Sequence, residues 1–217
     1  MTFSFDPPLD GHANMARDSA LLEGGEPAAR LYTWDGPWVS LGRSQDPNLD
    51  LAPGNSVPWV RRPTGGMAVL HGHDWTVALA LPLSALDLEC RSVREVYRRL
   101  VNPVVVALRR CGLDAALAED TTFAQLGRSW VADCFAFRSP NDVVDRRTGH
   151  KVCGCALRVT RIGALLQASI PKEAPLVDPA TVIPGAATVS PLHWDTAEFP
   201  AAWSMVATCA DSQRLTL

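Results

Sequence analysis

Lysine is nearly absent from this chain: of 20 basic residues only Lys151 and Lys172 are lysine, and the rest are arginine. A chain that turns to arginine wherever positive charge alone suffices keeps a lysine where guanidinium would not serve. An ammonium is compact and shifts its pKa readily, whereas arginine stays charged and forked. Lys172 survives as well, without an evident role. A basic excess is also missing, since the net charge is −3, and this excludes a general nucleic-acid binder. No stretch reaches the roughly 18 apolar residues of a membrane span. The opening MTFSFDPPLDGHANMARD has neither a basic leader nor an unbroken apolar run. The expectation is a soluble cytoplasmic protein without nucleic-acid or membrane partners. Repeats, low-complexity tracts and linkers are lacking too, so residues 1–217 are expected to form a single domain.

What is present is a core. Hydrophobic residues make up 47% of the chain, which marks a packed globular protein. The six cysteines do not read as a disulfide framework in that compartment. Cys90, Cys111 and Cys209 stand alone and read as small core residues. Cys134, Cys153 and Cys155 crowd into one region and require a separate account.

NMARDSALLEGGEP predicts a helix stopped by Gly24, Gly25 and Pro27. ARLYTWDGPWVSLGRSQ has the aromatic and β-branched content of two strands around Gly36-Pro37. VPWVRR and MAVLH read as two more, separated by PTGG, and WTVALALP as a fully buried one. SVREVYRRLVNPVVVALRRCGL is the clearest helix: Val93, Val96, Tyr97, Leu100, Val101, Val104, Val105, Leu108 and Cys111 keep helical spacing. Ser92 with Glu95 forms a capping box there, and Gly112 suits the position after the last turn. VVD and KVCGCALRVT are expected to form a hairpin through RRTG, with ALLQASIP as the next strand and the tail helical. Strands follow strands more often than they alternate with helices. The predicted class is α+β, a mixed and largely antiparallel sheet flanked by helices.

Three groupings bear on chemistry. In WVRRPTGGMAVLH two arginines and two glycines sit between strands. An ordinary hairpin is one reading. The other is a ligand cradle, because paired arginines suit bidentate anion recognition and glycines let backbone N–H groups approach. It matches neither the phosphate-binding loop nor the dinucleotide fingerprint. HGHD, with His71, His73 and Asp74, and the trio His150, Cys153 and Cys155 lack the paired spacing of a metal site, so no metal is expected. Cys134 and Lys151 read either as a buried small residue and a solvated strand residue, or as a thiol and the cation that activates it. Along a regular strand Lys151, Cys153 and Cys155 share a face, so either of the latter two could claim the lysine on geometry alone. Gly154 between them marks close approach by a neighbour or ligand, which reads the two as small residues at a tight place rather than nucleophiles.

RRPTGGMAVLH, GHKVCGCALRVTR and ALLQASIP, preceded by NMARDSALLE and WVSLGRSQ, resemble the superfamily of lipoate–protein ligase A, octanoyltransferases and biotin ligases. The resemblance spans Asn14 to Pro171, with the motifs in the family's order, and is strongest to the cysteine-dependent octanoyltransferases. It implies a biotin/lipoate ligase catalytic-domain fold. It makes Cys134 an acyl-thioester nucleophile whose pKa Lys151 lowers, and it places Arg62, Thr64, Gly65, Gly66, His71 and Gly154 along the acyl site. The implied reaction takes an octanoyl or lipoyl group from acyl carrier protein to a lysine of a lipoyl domain or glycine cleavage H protein, without a cofactor. The alternatives are an ATP- and Mg-dependent lipoate ligase acting through an adenylate, and a non-catalytic acyl-binding paralogue. A chain that stops soon after the catalytic fold leaves little room for a ligase's accessory domain. Departures from the family's usual pattern are Met67, Leu157 and the lack of a histidine in LLQASIP.

Overall fold

The computed structural model describes residues 1–86, 92–125, 131–186 and 193–209. In chain order they form β1 (Thr2–Phe5), α1 (Gly11–Gly24), β2 (Ala28–Tyr32), β3 (Trp38–Leu41), α2 (Pro47–Asp50), β4 (Trp59–Arg61), β5 (Val69–His71) and β6 (Asp74–Pro82). Then come α3 (Val93–Arg110), β7 (Ala115–Leu117), β8 (Val143–Asp145), β9 (Lys151–Val159), β10 (Gly163–Pro171) and α4 (Phe199–Cys209). Seven strands make one sheet in the order β1-β2-β6-β10-β9-β8-β7, and three make a second in the order β4-β3-β5. All pairings in the large sheet are antiparallel except β1 with β2. This is the α+β arrangement that strand-after-strand order predicts.

The large sheet is covered on both faces, which is why WTVALALP shows no alternation. Val77 and Leu79 of β6 pack with Leu100, Val104, Leu108, Phe199 and Trp203 of α3 and α4. Ala78 and Ala80 of the same strand face Met15, Leu22 and Tyr32 on the α1 side. The capping box forms, with the Ser92 side chain accepting from Glu95 N and Glu95 reaching back to Ser92 N. Such a cap stabilises the helix start by about 1 kcal/mol. Val93, the first residue of the helix, is 65% exposed and does not join the apolar face.

Other expectations change in tertiary context. PTGG does not close a hairpin: β4 and β5 never pair, because β3 lies between them, parallel to β4 and antiparallel to β5. β2 and β3, neighbours in sequence, belong to different sheets. β1 and β7, short edge strands, have too few residues for a periodic signal. The β8–β9 hairpin forms as expected, with Gly149 at φ +70°. Cys111 is buried, whereas Cys90 and the side chain of Cys209 lie outside the described residues. Among the described residues no helix is long and apolar enough to cross a membrane.

Candidate active site

The arginine–glycine loop connects the two outer strands of the small sheet, and Arg62 organises it. Its Nε and Nη2 donate to Gly65 O at 3.1 and 2.6 Å, Nη2 also to Met67 O at 2.7 Å, and Nη1 to Ser40 O and Oγ at 2.8 and 3.2 Å. These bonds engage all five guanidinium donors. Arg61 Nη1 is likewise spent on the carbonyls of Gly42, Arg43 and Gln45. Arg62 therefore has no donor left for an anion. It is a clamp that folds the loop, and the expectation of bidentate anion recognition is corrected for that residue. Gly66 takes φ +86°, in the left-handed region that favours glycine. A side chain at Gly42 would put its Cβ 1.9 Å from Gly66 O, so the glycine that ends WVSLG is what lets the loop close. Thr64 is buried and donates to Gln167 Oε1 at 2.6 Å, while Gln167 Nε2 donates to Asp18 Oδ2 at 2.6 Å. Gln167 thus ties the loop to α1. Gly65 has open space where a Cβ would stand.

Cys134 begins a single 3-10 turn, Cys134–Ala136. That turn is stitched to the loop by Ala68 N donating to Ala132 O (2.8 Å) and Cys134 N donating to Ala68 O (2.9 Å). Its sulfur lies over the backbone of β9, where a Cβ on Gly154 would come within 3.0 Å of Cys134 Sγ. Gly154 is therefore glycine because a neighbour, the cysteine, approaches there. Lys151, also on β9, reaches the same turn. Its Nζ is 3.5 Å from Cys134 Sγ and donates to Cys134 O at 2.5 Å and Phe137 O at 3.2 Å. It forms a buried ion pair with Asp142 at 2.9 Å. Asp142 also accepts from Ser139 N (2.7 Å) and Ser139 Oγ (3.0 Å), so the SPND segment is a local turn that holds the carboxylate in place.

Strand geometry alone gives Cys153 and Cys155 a claim on the lysine beside Cys134, and the structure shows which sulfur the ammonium meets. None of the lysine's hydrogen bonds goes to Cys153 or Cys155. Those two sulfurs face one another at 3.3 Å, and Cys153 is fully buried in the core beneath α3.

The electrostatics follow from burial. Burial pushes the Cys134 thiol up, Lys151 and Arg62 pull it down, and Asp142 and Asp133 oppose them, with a net rise above the ordinary thiol value. Lys151 does lower the thiol's pKa, but desolvation outweighs it. Burial also works against the Lys151 charge, yet Cys134 and Asp142 hold the ammonium up to about 12. Burial brings Arg62 down to about 10, with Cys134 and Tyr32 acting in the other direction. The sulfur thus feels two cations, and among the described residues Arg62 makes no ion pair with a carboxylate.

Cys134 and Arg62 border one pocket with Ser40, Gly66, His71, Gly154, Cys155 and Gln167, whereas Lys151, Thr64 and Gly65 stand behind its lining. His71 stacks on Trp34 with ring centroids 4.0 Å apart. Its Nδ1 lies 2.8 Å from Asp74 Oδ2 and its Nε2 2.8 Å from Ser40 Oγ. His73 turns into a different cleft, with Asp133 and Phe135. Among the described residues no group of three or more His, Cys, Asp or Glu is placed to hold a metal ion. Asp142, Gln167, Gly42 and Ser40 escape motif reading. Only SPND, with its turn chemistry, and the strand-ending glycine of WVSLG hint at any of them.

Residues 10–178 match the family described as lipoyl protein ligase A/B catalytic domain. The chain is 34% identical over 166 residues to octanoyltransferase LipM of Lysinibacillus sphaericus, covering 71% of this chain and 59% of that protein. It is 36% identical over 172 residues to the LipM of an Exiguobacterium species, covering 73% and 60%. The match thus spans about three fifths of the length of these relatives. Among solved structures it resembles a lipoate-protein ligase A bound with ATP, with a TM-score of 0.75, 18% identity, and 96% of this chain and 84% of that chain covered. It also resembles the bi-partite lipoate protein ligase of Thermoplasma acidophilum, with a TM-score of 0.70, 18% identity, and 96% and 82% covered. At that identity the two structures share the fold with this chain. By the extent of the family match and the order of its motifs, the chain belongs to the lipoyl protein ligase A/B catalytic-domain family.

Proposed function

We propose that this chain is an acyltransferase. It takes an octanoyl or lipoyl group from a carrier-protein thioester, holds it as a thioester on Cys134, and passes it to a lysine of a lipoyl domain or glycine cleavage H protein. The observation that carries this reading is the Lys151 ammonium 3.5 Å from Cys134 Sγ, over a Gly154 whose missing side chain lets the sulfur approach.

The chemistry follows from those groups. The Cys134 thiolate attacks the donor carbonyl, and the carrier's thiol departs. Lys151 and Arg62 stabilise the sulfur anion, and their positive charge also favours the oxyanion that develops beside it. The acceptor's ε-amine then attacks the Cys134 thioester, and the sulfur leaves as the amide forms. Thioester to thioester to amide is downhill, so ATP has no part. The engagement of every Arg62 donor within the protein favours this route over an ATP-dependent ligase, whose triphosphate would need free cations at the loop. The LipM name of the relatives supports the same choice.

The test is incubation with octanoyl acyl carrier protein, followed by intact-mass analysis. One octanoyl adduct on Cys134 is expected, chased onto an added lipoyl domain and absent in Cys134→Ser. Lipoate- and ATP-dependent modification that survives Cys134→Ser would make the chain a ligase instead. Tight acyl binding without turnover would make it a binding protein.

A further inference from the structure

A second concavity lies apart from the Cys134 pocket, between α3 and the edge strand β7. It encloses about 390 Å³, against about 40 Å³ at the cysteine. Val101, Val105 and Leu117 give it an apolar floor, and Arg98, Arg99, Arg109 and Arg146 stand along its walls with Asp120 as the one carboxylate in the lining. Arg98 is compensated by Glu119 and Asp120, and Arg146 by Asp114. Arg99 and Arg109 are exposed, and among the described residues neither pairs with a carboxylate. Arg109 Nε donates to Ala115 O at 2.8 Å, which anchors that guanidinium against β7. In a chain of net charge −3 the groove is a local reversal of sign.

We propose that this groove docks an acidic helix of the donor carrier protein, a role that rests on the acyl-transfer reading above. Length and charge point to a helix. From Arg98 to Arg109 the groove follows α3 for about 16 Å, at 1.5 Å per residue, which is too long for a single phosphate or carboxylate. Carboxylates three or four residues apart on a helix stand about 5–6 Å from one another, so one acidic face sets several of them along the arginines. The apolar side chains of such a face meet the floor, as an amphipathic helix does in a groove.

Position selects the donor over the acceptor. Ala116, which also borders the groove, pairs with Val144, and Val144 pairs with Lys151. With neighbouring strands about 4.8 Å apart, the β7 wall stands about 10 Å from the Lys151 backbone. No residue lines both the groove and the Cys134 pocket. A carrier protein bears its thioester on a long prosthetic arm, so its body docks at a distance from the sulfur that the arm must reach. The acceptor's lysine is a single side chain and has to bring its own surface to the mouth of the catalytic pocket. Basic walls also steer an acidic carrier toward the groove, an effect that falls with ionic strength.

The test loads Cys134 from two donors: octanoyl acyl carrier protein, and the octanoyl thioester of N-acetylcysteamine, which has no protein body. Arg99→Glu combined with Arg109→Glu is expected to raise the KM for the carrier donor about 10-fold while the saturated rate holds. The small donor should load at the unaltered rate, and added salt should remove most of the difference between the chains. An unchanged KM for the carrier overturns the docking, and so does an equal slowing with both donors, because a merely structural loss does not distinguish them. A slowing confined to the chase onto a lipoyl domain also overturns it, since the groove would then serve the acceptor. Should the double variant fail to fold by thermal melting, Arg99→Glu alone carries the same test. If neither donor loads the unaltered chain, the acyl-transfer reading fails separately. Fluorescence anisotropy of labelled acyl carrier protein, titrated with the unaltered and Arg99→Glu chains at low salt, then decides the docking by itself. Weaker binding by the variant supports it, and equal binding or none overturns it.

Discussion

Replacing Gly154 with alanine adds a single methyl group under the candidate nucleophile. Gly154 is not among the glycines with positive φ, so alanine adopts the same extended backbone without strain, and any effect is steric. The new Cβ would stand 3.0 Å from Cys134 Sγ and 3.5 and 3.6 Å from the Phe135 ring. Ordinary contacts fall at about 3.5–4.0 Å, so the sulfur must give way by a few tenths of an ångström. Cysteine has one side-chain torsion, and its alternative rotamers lie about 120° away. Moving the sulfur therefore means either shifting the turn, which Ala68 pins through Cys134 N, or swinging Sγ off the lysine. Overpacking costs about 1–3 kcal/mol, and removing a glycine from a strand returns about 0.5–1 kcal/mol. The net loss of stability should be about 1 kcal/mol. Misplacing a reacting atom by about 1 Å costs about 10²-fold in rate. Adduct formation on Cys134 should thus fall by roughly 10- to 100-fold while the melting temperature drops by only a few degrees. A Gly154→Ala chain that acylates at the unaltered rate would refute the reasoning that Gly154 sets the sulfur's position against Lys151.

Lys151→Met leaves the Asp142 carboxylate buried without its ion partner, at a cost of about 3–5 kcal/mol. Lys151→Met with Asp142→Asn should recover most of that in urea unfolding without restoring acyl transfer. The folded pKa of Lys151, about 12, exceeds the unfolded value of about 10.4. Its stabilisation is therefore complete below about pH 10.4 and lost as pH rises through about 12. Urea midpoints of the unaltered chain and the double variant should converge across that window, and a constant gap would contradict the pairing. Arg62→Lys keeps the charge but not the fork. It should destabilise by about 2 kcal/mol and slow acylation, both measurable on one preparation. An unchanged melt would show that the five donors do not hold the loop.

Local signals carried much of the fold. The helical spacing, capping box and Gly112 of α3 are read directly from its residues, as is the β8–β9 hairpin with Gly149, because both depend on neighbours in sequence. β6 is legible as a fully buried strand from its unbroken apolar run, but its place between β2 and β10 is not, since strand order depends on distant partners. β4 and β5 look like a hairpin because nothing local announces that β3, which ends at Leu41, well before β4 begins at Trp59, will come between them.

 The register that does so sets Ser40 opposite both Val60 and Val69, a long-range choice that strand propensity does not encode.

The candidate site divides the same way. By itself the sequence determined the reagents: a cysteine outside the core pattern, a lysine kept among arginines, and glycines where backbones or sulfurs come close. It ranked Cys134 above Cys153 and Cys155 only through the glycine between those two and the family resemblance, because strand periodicity puts both on the lysine's own face. The tertiary structure adds the contacts, stitching Cys134 to Ala68 and sinking Cys153 beneath α3. It also decided what the arginine pair does, since the carbonyls that engage Arg62 come from β3 and from the loop itself. Asp142 as the lysine's counter-ion and Ser40 as the partner of His71 were likewise set by the fold. Residue type fixes which protons and charges a side chain can offer. Which of them meet is fixed by contacts between segments far apart in the chain, and those exist only once the two sheets have closed around the pocket.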